Sequence, residues 1–245
     1  MYHFFAPEGD GESGELWVRG QDVKHIARVL RMKTGDRLIA SDGRDRDWLC
    51  EIAETGPDFV RLCVVSDQLP SAEPDRRIVL FQGLPKADKM DYIIQKAVEL
   101  GACSLVPVEM KRCVVQLDAG RKEKRRERWQ KLSESASKQS GRSAVPEVEA
   151  VSSFEAALRL AGKLDHIIVP YESAENMEFT RQTLASVKEG ESAGFFIGPE
   201  GGFAPEEIEV LKAAGAKIVT LGPRILRTET AGPAVLAMAT LLWEK

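Results

Sequence analysis

Short apolar runs broken by turn residues fill positions 15–66, then give way to a different pattern after residue 77. Residues 15–18, 37–40, 48–53 and 59–65 read as short extended strands bounded by turn residues. Ser41-Asp42-Gly43 and Gly56-Pro57-Asp58 supply turns between them. Asp22 is placed to cap a short helix with Val23, Ile26, Val29 and Leu30 on one face. Short strands at this spacing predict a small barrel. Residues 66–77 are polar, hold two prolines and read as a linker. Beyond it, runs suited to buried strands at 78–81, 104–108, 147–151, 166–169, 195–197 and 217–221 alternate with helical spacings. One helix follows Asp88, with Met90, Ile93, Ile94, Ala97 and Val98 on a shared face, and stops at Gly101. A long basic helix over 121–140 carries a stripe of Trp129, Leu132 and Ala136, and a further helix closes the chain from about residue 231. Alternating strands and helices predict an α/β fold with a largely parallel sheet, and the change of pattern divides the chain into 1–70 and 71–245.

Two loops in this second part carry the candidate chemistry. Gly198-Pro199-Glu200-Gly201-Gly202 follows the strand at 195–197, and Gly222-Pro223-Arg224-Ile225-Leu226-Arg227 follows the strand at 217–221. Loops at strand ends are where α/β sheets bind ligands, so two of them close in sequence predict one pocket. Gly201 and Gly202 permit positive φ and bring bare backbone to a ligand. Pro205, Glu206 and Glu207 suit the start of the next helix, and the acids there disfavour a phosphate. The spacing fits neither the dinucleotide nor the phosphate-loop pattern. Ile225 and Leu226 offer apolar surface to a flat ring, and Thr228, Glu229 and Thr230 can serve a helix start or a ligand. The plain alternative for each loop is a tight turn and a capped helix.

Composition narrows the partners. A net charge of −4 argues against nucleic acid for the chain as a whole. Basic residues nevertheless cluster at 121–131 and at Arg19, Lys24, His25, Arg28, Arg31, Lys33 and Arg37, either as solvated faces or as phosphate contacts. The four cysteines lie far apart without a Cys-x-x-Cys pair, so no metal site is expected. No apolar run approaches the roughly eighteen residues of a membrane span. The first residues lack the basic start and apolar core of a signal peptide, so a reduced, cytoplasmic protein is expected.

FIGPEGGF at 196–203 and LGPRILRTETA at 221–231 closely resemble the SPOUT class of knotted S-adenosylmethionine-dependent RNA methyltransferases. Within it, the chain is similar to the family that methylates N3 of a uridine in 16S ribosomal RNA. KHIARVLRMKTGD at 24–36, KADKMDYIIQKAVELG at 86–101 and SASKQSGRSAVP at 135–146 match further family segments, with Ser135 where the family carries Glu. The resemblance implies a PUA-like β-barrel over 1–70 that binds RNA, and a trefoil-knotted SPOUT domain over 71–245. It implies S-adenosyl-L-methionine in a pocket of Gly198, Glu200, Gly201, Leu221, Gly222, Ile225, Leu226, Thr230 and Ala231. RNA contacts are expected from Arg28, Arg31, Lys86, Gln139 and Arg142, with Arg28 and Arg31 on one side of a helix.

The implied reaction moves a methyl from a sulfonium to a ring nitrogen whose proton must leave. Glu200 and Glu229 are the candidate bases, with water as a third; partial burial would bring such a base nearer neutrality. Arg227 is the candidate to anchor a phosphate or a developing negative oxygen. The partners expected are 16S ribosomal RNA, in the small ribosomal subunit, and a second copy of the chain, because the closing helix is apolar on nearly all sides from 234 to 243. Three competing readings are a SPOUT enzyme acting on transfer RNA, a non-catalytic RNA-binding protein and a nicotinamide-dependent oxidoreductase.

Overall fold

The computed structural model describes residues 1–6, 8–172 and 176–244. The chain divides into two compact units, 1–73 with 137–145, and 74–136 with 146–245.

The first unit is built on β1 (His3–Phe5), β2 (Glu8–Asp10), β3 (Glu15–Arg19), β4 (Arg37–Ser41), β5 (Asp47–Thr55) and β6 (Phe59–Ser66). These make a six-stranded sheet in the order β1-β4-β5-β6-β3-β2, antiparallel except where β1 pairs with β4. Alternate side chains turn to one face, so that Trp48, Cys50 and Ile52 of β5 and Val60 and Leu62 of β6 share one core. The short helix α1 (Gln21–Lys24) starts from Gly20 rather than Asp22, whose carboxylate instead pairs with Lys138 at 2.8 Å. It widens into a π-helical stretch, His25–Val29, where Leu30 N donates to His25 O. Arg31 then turns left-handed at φ 53° while Met32 N reaches back to Ile26 O. Arg28 therefore lies on the helix and Arg31 beyond its end, so the expected shared helical side does not form.

The segment 137–145 closes this unit through polar contacts. The Arg142 guanidinium is 3% exposed and meets Glu73 at 2.5 Å, and Ser143 donates to Asp47 at 2.7 Å. Ala144 N also donates to Glu73, and Val145 N to Gly43 O.

In the second unit the strands are β7 (Arg77–Gly83), β8 (Ser104–Glu109), β9 (Glu147–Val148), β10 (Ser152–Ser153), β11 (His166–Pro170), β12 (Ser192–Ile197) and β13 (Lys217–Val219). All pair in parallel, in the order β10-β8-β7-β12-β11-β13, with β9 also on β8. The helices are α2 (Lys89–Glu99), α3 (Ala119–Ser140), α4 (Phe154–Ala161), α5 (Met177–Ala185), α6 (Pro205–Ala213) and α7 (Thr228–Trp243). Both sheet faces are covered, which is why the strands read as continuous apolar runs. Ile78, Leu80 and Phe195 pack with the buried faces of α2 and α7 and with Trp129 and Ala136 of α3. Val79, Phe81 and Phe196 pack on the other side with α4 and α6, the Phe81 and Phe196 rings stacked at 4.3 Å. Trp243 seals the end of α7 by donating to Leu184 O at 2.8 Å. Among the described residues no helix is long and apolar enough to cross a membrane.

Candidate active site

The strand order brings the C-terminal ends of β12, β11 and β13 side by side, and their outgoing loops enclose a pocket of about 830 Å3. The loop after β12 is held from below. Thr228 Oγ1 donates to Gly198 O at 2.6 Å and accepts from Gln82 Nε2 at 2.9 Å, tying the start of α7 to β7 and to the first loop. A side chain at Gly198 would press on Gly202 and Phe203 at 3.1–3.2 Å, so the turn packs most closely with glycine there. Gly202 takes φ 67°, whereas at Gly201 a Cβ would meet Arg112 Cβ and O at 3.0 and 3.1 Å. Arg112 Nη1 in turn donates to Gly201 O at 3.1 Å. The second loop is fixed by Thr180, whose hydroxyl donates to Thr220 O at 2.9 Å and accepts from Thr220 N, and Gly222 turns at φ 111°.

The pocket gathers most of the residues chosen from sequence. Gly198, Glu200, Gly201, Leu221, Gly222, Ile225, Leu226 and Ala231 line it, with Arg227 exposed at its edge. Thr230 is exposed on α7 and is not in the lining. Glu229 is outside the lining too, but Lys89, which is in it, meets Glu229 Oε2 at 3.1 Å and Glu200 Oε1 at 3.0 Å. Lys86 contributes its amide to Glu200 Oε1 at 3.0 Å. Arg28, Arg31 and Gln139 are exposed in the first unit, whereas Arg142 is buried against Glu73 and offers no surface to a ligand. Lys89, Arg112, Tyr171, Asn176 and Met177 line the pocket as well, beyond the sequence expectation. The end of β11 obeys the same strand-end rule as the two glycine-bearing loops, so Tyr171 was within its reach.

The carboxylates behave differently from the expected base. Burial pushes Glu200 up, but amide donation from Lys86 and the Lys89 ammonium outweigh it and hold the group below its ordinary value. Burial also pushes Glu229 up, and its own amide together with Lys89 brings it down in the same way. Lys89 is raised, first by its bond to Glu200 and then by its bond to Glu229. A carboxylate held by a cation is a weaker base, so neither Glu is brought nearer neutrality. Both carboxylates face the Lys89 ammonium.

The matching family models carry this geometry into a known lineage. One, an RNA methyltransferase domain, matches residues 72–240, and a second, an RNA methyltransferase PUA domain, matches 18–63. The ribosomal RNA small subunit methyltransferase E of Bacillus subtilis is 37% identical, over 90% of this chain and 87% of its own length. The chain belongs to the ribosomal RNA small subunit methyltransferase E family. The family member from Mycobacterium tuberculosis is 32% identical, over 92% of this chain and 86% of its own. A crystal structure of the Neisseria gonorrhoeae member of the family, bound to S-adenosyl methionine, covers 99% of this chain and 98% of its own. It superposes with a TM-score of 0.84 at 30% identity. The first unit accordingly holds the family's PUA domain, and the second its α/β methyltransferase domain.

Proposed function

We propose that the chain binds S-adenosyl-L-methionine in this pocket and methylates N3 of a specific uridine in 16S ribosomal RNA. The observation that carries the reading is the pocket itself: two glycine-bearing loops at parallel strand ends, in a member of an RNA methyltransferase family. The residues suit the cofactor. Gly198, Gly201 and Gly222 put no side chain between the backbone and a flat ring, Leu221, Ile225 and Leu226 supply apolar surface, and Glu200 and Glu229 with Lys89 carry a net negative charge. When bound, S-adenosyl-L-methionine supplies an electrophilic methyl on a sulfonium.

The chain's own part is orientation and charge. Arg227, at the start of α7, offers its guanidinium to the uracil oxygen on which negative charge develops as the N3 proton leaves. With both carboxylates engaged by Lys89, that proton passes to water. Arg28, Arg31, Lys86 and Gln139 are exposed and suited to phosphate or base contacts. The C-terminal segment threads as a trefoil knot in this reading. Two copies pair through α7, where Leu241 is 80% and Leu242 47% exposed. Mapping N3-methyluridine in 16S ribosomal RNA from a strain lacking the gene, with and without its return, tests the assignment. Loss and recovery at one position support it, and a change confined to transfer RNA contradicts it.

A further inference from the structure

The turn between β7 and α2 reaches across to both loops of the pocket. Ala87 is left-handed at φ 52°, a conformation that costs an L-residue energy and persists where surrounding contacts impose it. The turn and the first residue of α2 bring an amide donor and an ammonium to one oxygen. Lys86 N and Lys89 Nζ each lie 3.0 Å from Glu200 Oε1. Lys89 Nζ also lies 3.1 Å from Glu229 Oε2. Glu200 sits in the loop after β12, and Glu229 in the first turn of α7, just past the loop after β13. The two loops are thus joined at two levels: Thr228 ties Gly198 at the base, and Lys89 bridges the carboxylates beside the lining.

We propose that Lys89 is a positioning residue for the pocket: its ammonium locks the glycine loop to the start of α7 and pre-organises both for the cationic cofactor. The inference rests on the S-adenosyl-L-methionine reading above. Each carboxylate–ammonium contact is partly exposed, with side chains 20–28% accessible, and such contacts do little for global stability. Bridging two loops acts elsewhere. Loops ordered before the ligand arrives cost nothing to order on binding, so the effect falls on affinity. Lysine also brings the two carboxylates to a net single negative charge, enough to favour a sulfonium without mutual repulsion of the acids.

Calorimetric titration of the full chain with S-adenosyl-L-methionine tests this in Lys89→Met, Lys89→Arg, Glu200→Gln/Glu229→Gln and the triple variant. Lys89→Met is expected to raise Kd about tenfold or more with its melting temperature close to wild type, and Lys89→Arg to recover most of the affinity. Because Lys89 acts through its partners, the triple variant should bind no more weakly than the weaker of its two parents. Should Lys89→Met fail to fold, Lys89→Gln carries the test, with the same loss expected. Wild-type affinity in Lys89→Met or in the double variant overturns the proposal, and so do losses that multiply in the triple variant. A wild type that binds no S-adenosyl-L-methionine overturns the cofactor reading itself.

Discussion

Gly201 shows how a single residue's role differs from its first appearance. Its missing side chain spares Arg112, 3.0 Å from where a Cβ would sit, and keeps the Arg112–Gly201 O contact in place. Gly201→Val should therefore displace Arg112 or the loop, lowering S-adenosyl-L-methionine affinity about tenfold or more while the fold survives. Calorimetry beside far-ultraviolet circular dichroism checks this, and unchanged affinity in the folded variant speaks against it. The carboxylates give a pH window. Glu200 and Glu229 are lowered, so their contribution is present above the ordinary value of 4.5 and is lost as pH falls through the lowered values. Lys89 is raised, so its contribution is complete below 10.5 and is lost as pH rises through its raised value. The difference in S-adenosyl-L-methionine affinity between wild type and the double glutamine variant should hold steady between about pH 6 and 9 and shrink below about pH 4. A difference that grows on acidification would contradict the assignment. The glycine loops were legible in sequence because strand, turn and helix-start signals are local. Lys89 lies in the helix-forming segment 86–101, yet its pairing with Glu229 joins positions far apart in the chain and follows only from the parallel strand order.

The short helix before Arg31 carries a device that sequence periodicity could not show. The π-helical stretch shifts the helical register, and Arg31 takes the left-handed position where glycine usually ends a helix. Two properties of Arg31 can then be separated. Arg31→Gly should stabilise the chain by about 1 kcal/mol by relieving the left-handed backbone, while weakening RNA binding through loss of charge. Arg28→Ala with Arg31→Ala should lower RNA affinity and reduce the salt slope by roughly one to two phosphates. Thermal melting and a salt titration of RNA binding measure both, and an unchanged slope would remove this surface from the interface. The basic helix α3 reads differently once folded. Arg121, Lys122, Arg126 and Arg128 have acidic neighbours, and Trp129 and Ala136 enter the core. Charge density along a sequence counts residues, whereas phosphate binding depends on which charges are left over after pairing.

At the scale of the whole molecule, the division into an alternating-strand part and a strand–helix part is visible in the hydrophobic pattern, because each follows its own period. The placement of 137–145 with the first unit is not visible there, since it depends on Arg142 meeting Glu73 and Ser143 meeting Asp47, contacts between distant positions. The closing helix is half covered: Val235, Leu236, Ala239 and Trp243 are buried, while Leu241 and Leu242 face outward. An exposed apolar strip on a C-terminal helix is the surface a symmetric pair would bury. Light scattering at micromolar concentration should give twice the chain mass, and Leu241→Lys should shift it toward the monomer; a wild-type monomer with full activity would refute the pairing. The central claim, methylation of N3 of a uridine in 16S ribosomal RNA, is tested most directly by nucleoside mass spectrometry of 16S ribosomal RNA incubated, free or in the small subunit, with the purified chain and methyl-labelled S-adenosyl-L-methionine. The account predicts labelled N3-methyluridine at one position, strongly reduced for Arg227→Ala. Label on another base or another uridine atom, or none with a chain that binds the cofactor, would contradict it.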